Sequence, residues 1–182
     1  MAGELSNYLY EKMIEESKNY NWRIVSDSHK GAIEIYLAIK IEINPNDYVQ
    51  DITGQVNTNQ EFYFENIVCF YDKRDNKIVK KNYLKAIPVH PVQGIEKGYV
   101  DSFLKQLNIR ISTAKSQIRN FVHNKEEKEF YLTWNDENMK NTIKTMKETN
   151  HYSKEKLIFS KQEEKKLIEK FRGEDYDGLE RI

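Results

Sequence analysis

The sequence is short of several things, and each shortage excludes something. It has one cysteine in 182 residues. Cys69 can form no internal disulfide, and the count suits a reducing compartment. It has no charge excess, because 29 basic residues cancel 29 acidic ones. The overall basic surplus that marks many nucleic-acid binders is therefore missing, and only a local patch could serve. No apolar run approaches the ~20 residues a membrane helix needs. The first residues, MAGELSNYLYEKM, lack the apolar core of a secretion signal. The expectation is a cytosolic protein with no membrane partner. Proline, glycine and alanine are scarce while Lys, Asn, Ile and Tyr abound. That bias reads as AT-rich coding, a hint about genome type and none about chemistry.

Aromatic residues are plentiful, with 12 Tyr and 8 Phe. Disordered chains are poor in aromatics and carry net charge, so this chain folds. Its length suits one domain, 1–182, and no repeat divides it. A joint at 124–128 leaves room for a small C-terminal helical subregion, 125–173, followed by a loose tail, 174–182.

Periodicity supplies the elements. Leu5, Leu9, Met13 and Ile14 recur at helical spacing over 4–18. Trp22 and Ile24 begin a short strand, and SDSHKG (26–31) is a turn. Ile33, Ile35, Leu37, Ile39, Ile41 and Ile43 alternate strictly with Glu34, Tyr36, Ala38, Lys40 and Glu42. A period of two means a strand, and the pair 22–27 with 32–43 reads as a hairpin. A long polar loop, 44–60, precedes a doubly apolar strand, 61–72, and such loops are often functional. Further strands are expected at 77–87 and at Phe130, Leu132 and Trp134.

The longest helix is expected over 96–123. Val100, Leu104, Leu107, Ile111, Ala114, Ile118 and Phe121 form an unbroken heptad seam. Asn135 reads as the N-cap of another helix, with Asp136 and Glu137 in its first turn. Ser160 to Glu163 reads as a capping box opening a last helix with Leu167, Ile168 and Phe171 inside and Gly173 at its end. Strands first and helices later give the α+β class. The expected architecture is an antiparallel sheet of about four to five strands packed by one long helix, with additional C-terminal helices.

Catalytic constellations are missing. His29, His90, His123 and His151 show no metal-ligand spacing. The glycines make no phosphate loop, and no nucleophile elbow occurs. Asp75-Asn76-Lys77 or Glu126-Glu127-Lys128 has the local spacing of a Mg²⁺ nuclease, but such triplets arise by chance in a chain with 32% charged residues. No cofactor, metal or catalytic residue is expected.

Two surfaces remain. Tyr36, Tyr63, Tyr71 and Tyr83 fall on one sheet face beside Lys73, Arg74, Lys80, Lys81 and Lys85, a composition that suits nucleic acid. The long helix carries Lys105, Arg110, Lys115 and Arg119 outside its seam. The reading that follows is a non-enzymatic macromolecule-binding protein with binding residues Lys105, Arg110, Lys115, Arg119, Lys80 and Lys81. Its partner would be a protein or a ribonucleoprotein, with self-association through the long helix as a further use of that surface. AT-biased small proteins of phages and mobile elements commonly inhibit a host defence complex, so an anti-CRISPR-like inhibitor is the sharpest form of this expectation. The alternative is a nucleic-acid-binding protein or Mg²⁺-dependent nuclease.

Overall fold

The computed structural model describes residues 3–27, 30–56, 60–75, 77–124 and 126–159, and the backbone of 167–172. The strict alternation of the isoleucines builds the central strand β3, Ala32–Glu42. It pairs antiparallel with β2, Asn21–Asp27, on one side and β4, Glu61–Asp72, on the other. Ile33, Ile35, Leu37, Ile39 and Ile41 all point to one face and are at most 2% exposed. Trp22, Ile24, Val68 and Phe70 join them there.

The 27-residue helix α2, Lys97–His123, lies across this face. At 1.5 Å per residue it is ~40 Å long. Its seam residues from Val100 to Ile118 are buried, and the Phe121 ring lies tilted against Phe130, 5.9 Å between centres. The seam is therefore used inside the chain, against its own sheet. Each such side chain contributes about 1.5–3 kcal/mol on burial, which makes the α2–sheet interface the main source of stability. Helix α1, Leu5–Glu16, buries Leu5, Leu9 and Met13 in the same core. Helix α3, Asp136–Glu148, packs on α2, and Asn135 caps it by accepting N–H bonds from Glu137 and Asn138.

The α+β class and the sheet packed by one long helix hold. Four local expectations change. The last helix is not formed at 167–172, where strand β8, Leu167–Arg172, pairs antiparallel with β2. A sheet edge offering unpaired N–H and C=O groups outweighs local helix propensity. The capping box at 160–163, Gly173 and the tail 174–182 lie outside the described residues, as does His29. The strand expected at 77–87 begins only at Lys85. It is β5, Lys85–Val89, and it runs parallel to β4, after a crossover carrying a 3-10 turn at Lys80–Asn82. The five-stranded order is β5-β4-β3-β2-β8. Pro88, which has no N–H to give a ladder, sits in the edge strand.

Residues 130–134 form no strand. Phe130, Leu132 and Trp134 still turn one face to the core, with the Trp134 ring 5.1 Å from Phe103. Their alternation reports burial, and among the described residues no strand pairs with them. A second small sheet, in the order β1-β7-β6, was not anticipated. It joins Gly3–Glu4 (β1), Lys156–Ile158 (β7) and Ile95–Glu96 (β6), and so anchors the start of α2.

Candidate binding groove

A cleft of about 450 Å³ opens where α2, the α1–β2 turn and β3 meet. Lys18, Asn19, Tyr20 and Asn21 form one wall, and Ile111, Ser112, Lys115, Ser116 and Arg119 of α2 form another. Ala38 and Lys40 supply the third. Four cationic side chains thus face one cleft, and among its described lining residues none is acidic. Lys40 reaches Glu61 at 2.7 Å, a half-exposed pair. Among the described residues no ion pair engages Lys18, Lys115 or Arg119.

Each wall has a local cause. Helix α1 stops at Ser17, whose N–H still reaches Met13 O at 2.9 Å. Asn108 of α2 then holds the turn. Its Oδ1 accepts from the Ser17 hydroxyl at 3.0 Å and the Tyr20 hydroxyl at 2.9 Å. The Trp22 indole donates to Ser17 O at 3.2 Å, which fixes the turn from below. Asn108 carries no charge and stands next to a seam leucine, so only its polarity on the flank of a buried stripe marks it in the sequence. Asn108→Ala strips the partner from two hydroxyls, one on fully buried Ser17, and is expected to cost about 1–3 kcal/mol. Urea unfolding would measure it, and a loss below about 0.5 kcal/mol would contradict the clamp.

Lys115 and Arg119 stand one helical turn apart on the groove side of α2. Like charges at this spacing weaken a helix slightly, so stability alone gives no reason for the pair. Lys105 is exposed on the same helix but does not line the cleft. Arg110 lies on the opposite flank, where its Nε donates to Thr133 O at 2.7 Å and its Nη1 to Gln117 at 2.9 Å. Lys80 and Lys81 are exposed in the crossover after β4, with the Lys80 ammonium 6.0 Å from the Tyr71 ring centre. The six expected residues thus divide. Lys115 and Arg119 join Lys18 and Lys40, which the sequence reading missed, and the other four sit elsewhere.

The sheet face away from α2 is closed rather than open. Tyr36 is 7% exposed and Tyr71 5%, each within a small apolar cluster. Glu34 accepts hydrogen bonds from the Tyr36 hydroxyl at 2.8 Å and the Tyr83 hydroxyl at 2.7 Å. The Arg23 guanidinium lies 4.6 Å from the Tyr36 ring centre. These rings pack together and do not stand out to stack on bases. Cys69 lies in the same layer, where burial first and the Glu34 charge second push its thiol up to about 12. Little thiolate exists near neutrality. Alkylation by iodoacetamide at mildly alkaline pH is expected to be about a hundredfold slower in the native protein than in urea, read by mass spectrometry. Equal rates would contradict this environment.

Of the two triplets with nuclease-like spacing, Asp75 serves a turn, as does Asp72 before it, and Glu126 and Glu127 follow Asn124, which accepts their backbone N–H groups through its side chain and its carbonyl. The Asp72 carboxylate is held by Arg74 at 2.6 Å, and Asp75 accepts from the Lys77 N–H at 2.8 Å. Asn76 lies outside the described residues. Among the described residues no three His, Cys, Asp or Glu side chains come together to hold a metal, and no helix is long and apolar enough to cross a membrane.

A comparison with the curated proteins finds no match. A crystal structure of a conserved protein of unknown function from Enterococcus faecalis matches with a TM-score of 0.73. It is 21% identical, over 82% of this chain and 91% of that one, so the two share the fold. The model of a family described as a protein of unknown function, DUF3013, matches residues 1–160, a span that holds every described residue of the groove. The chain belongs to the DUF3013 family.

Proposed function

We propose that this is a non-enzymatic macromolecule-binding protein of the cytosol, and that the cationic groove holds its partner, a protein or ribonucleoprotein. The observation that carries the reading is the convergence of Lys18, Lys40, Lys115 and Arg119 on one cleft without an acidic lining residue. Lys40 is paired with Glu61, while among the described residues no ion pair engages the other three, and stability alone gives no reason to gather them. A basic cleft raises the local concentration of an acidic partner and steers its approach.

The 44–60 loop supports a protein partner over bare nucleic acid. Its base is joined to the end of α2 by His123 Nδ1 and Asp47 Oδ2, 3.3 Å apart. Its outer part exposes Tyr48, Ile52 and Val56, with Ile52 98% accessible. Exposed apolar anchors beside a charged surface are the composition of a protein interface. Inhibition of a host defence complex is one member of this class.

Affinity capture of the tagged chain from cells, with and without nuclease, tests the reading. A stoichiometric protein that survives nuclease is expected. Nucleic acid alone, or no partner, would overturn it and favour metal-dependent cleavage assays.

A further inference from the structure

The partner's contacting segment can be described further, on the premise that the groove is the binding site. Strand β2 begins only at Asn21, opposite Ala38, while β3 runs on to Glu42. Ile39–Glu42 therefore pair with β4 alone. The direction of their backbone groups follows from the ladder. The Ile43 N–H donates to Gln60 O at 2.8 Å, toward β4. Backbone groups alternate sides along a strand, so the N–H and C=O of Lys40 and Glu42 point the other way, to the side that β2 has left. Among the described residues no backbone group meets them there. Lys40 also lines the groove beside Ala38, so the open edge starts at the groove's third wall. At ~3.3 Å per residue, the four residues offer about 13 Å of unpaired edge.

We infer that the groove takes an extended acidic segment of a partner protein, which adds to the sheet beside β3 in line with β2. The edge supplies main-chain hydrogen bonds, and the cations supply selection for carboxylates on the added strand. Open strand edges attract unrelated chains, and lysines on an edge commonly discourage them. The edge itself carries Lys40, paired with Glu61, and the exposed Glu42, so selection for an acidic strand rests on Lys18, Lys115 and Arg119 across the groove. This is the strand-addition mode of peptide recognition, in which backbone bonding gives affinity and side chains give specificity. A nucleic acid would satisfy the cations but has no N–H and C=O pattern to match the edge.

The test uses the full chain and three fluorescent probes followed by anisotropy. The first is a short alternating Glu–Val peptide, the second the same peptide N-methylated at alternate residues, the third a uridine oligonucleotide of equal charge. N-methylation keeps the charge and removes the N–H groups that face β3. The parent peptide should bind, and both N-methylation and the double variant Lys115→Glu/Arg119→Glu should weaken it at least about tenfold. Amide exchange at Lys40 and Glu42 should slow when the parent peptide is present. Equal binding of the methylated peptide, unchanged exchange, or tighter binding of the oligonucleotide would overturn strand addition. A captured protein partner that still depends on Lys115 and Arg119 would show, in that event, that the groove reading stands and only the edge pairing has failed.

Discussion

Gly94→Ala is expected to destabilise the protein by about 3 kcal/mol or more. Gly94 closes a turn by donating its N–H to His90 O at 2.8 Å, with φ at +69°. That conformation costs an L side chain about 1–2 kcal/mol. The larger effect is contact. A Cβ here would lie 2.1 Å from Leu157 O and 2.9 Å from Leu157 C, both backbone atoms. The β6–β7 pairing of Ile95 with Leu157 would have to separate. Because β6 leads directly into α2, the disturbance would reach the element that forms one groove wall. Gly54→Ala is the control. Gly54 also has a positive φ, +89°, but its nearest neighbour would be a glutamine side chain at 3.5 Å. It should cost only about 1 kcal/mol. Equal losses at the two sites in urea unfolding would contradict the contact argument.

Stability is expected to be flat from neutral pH to about 9, to begin falling there as the unfolded chain ionises the Cys69 thiol that the fold keeps protonated, and to fall steeply above 10. Tyr20 and Tyr36 are each 7% exposed. Burial raises both phenols well above the ordinary 10.0, and the Glu34 carboxylate that accepts from Tyr36 raises that one further. Below pH 10 both are protonated whether the chain is folded or not, so their neutral packing contributes fully. Above 10 the unfolded chain loses the two protons while the folded chain keeps them, which favours unfolding. The slope is about 1.4 kcal/mol per pH unit for each group, so one unit above 10 costs about 3 kcal/mol. That is a large share of the ~5–15 kcal/mol typical of a domain. Urea midpoints at pH 8, 10 and 11 would show it. Similar midpoints at pH 8 and 11 would contradict it. Tyr36→Phe should flatten the decline.

The elements most legible in the sequence are those whose own side chains make the core. β3 and β4 show themselves by alternation and apolar content, and α2 by a seam that meets the sheet almost residue for residue. Asn135 declares its cap because the interaction is local. Elements that depend on a distant edge are harder to read. Nothing within Leu167–Arg172 announces that β2, some 145 residues earlier, has a side to fill. The parallel direction of β5 is set by the crossover before it, whose path no local period encodes. The groove divides in the same way. Lys115 and Arg119 are visible as an i,i+4 pair on a helix flank. Lys18 and Lys40 join them only because Asn108 clamps the α1–β2 turn against α2 and because β2 starts late. Arg110 resembles its neighbours in the sequence, yet the helical period turns it to the opposite flank.

The most direct test of the groove is affinity capture after nuclease treatment, comparing the natural chain with Lys115→Glu/Arg119→Glu and with Lys140→Glu/Lys144→Glu. Lys140 and Lys144 are about three-quarters exposed on α3 and carry only exposed, local ion pairs, so the two variants change net charge equally. If the groove holds the partner, the first variant retains about a tenth of it or less, while the second keeps nearly all. Equal recovery from both variants, with both folded by circular dichroism, would contradict the claim that the cleft between α2 and β3 is the binding site.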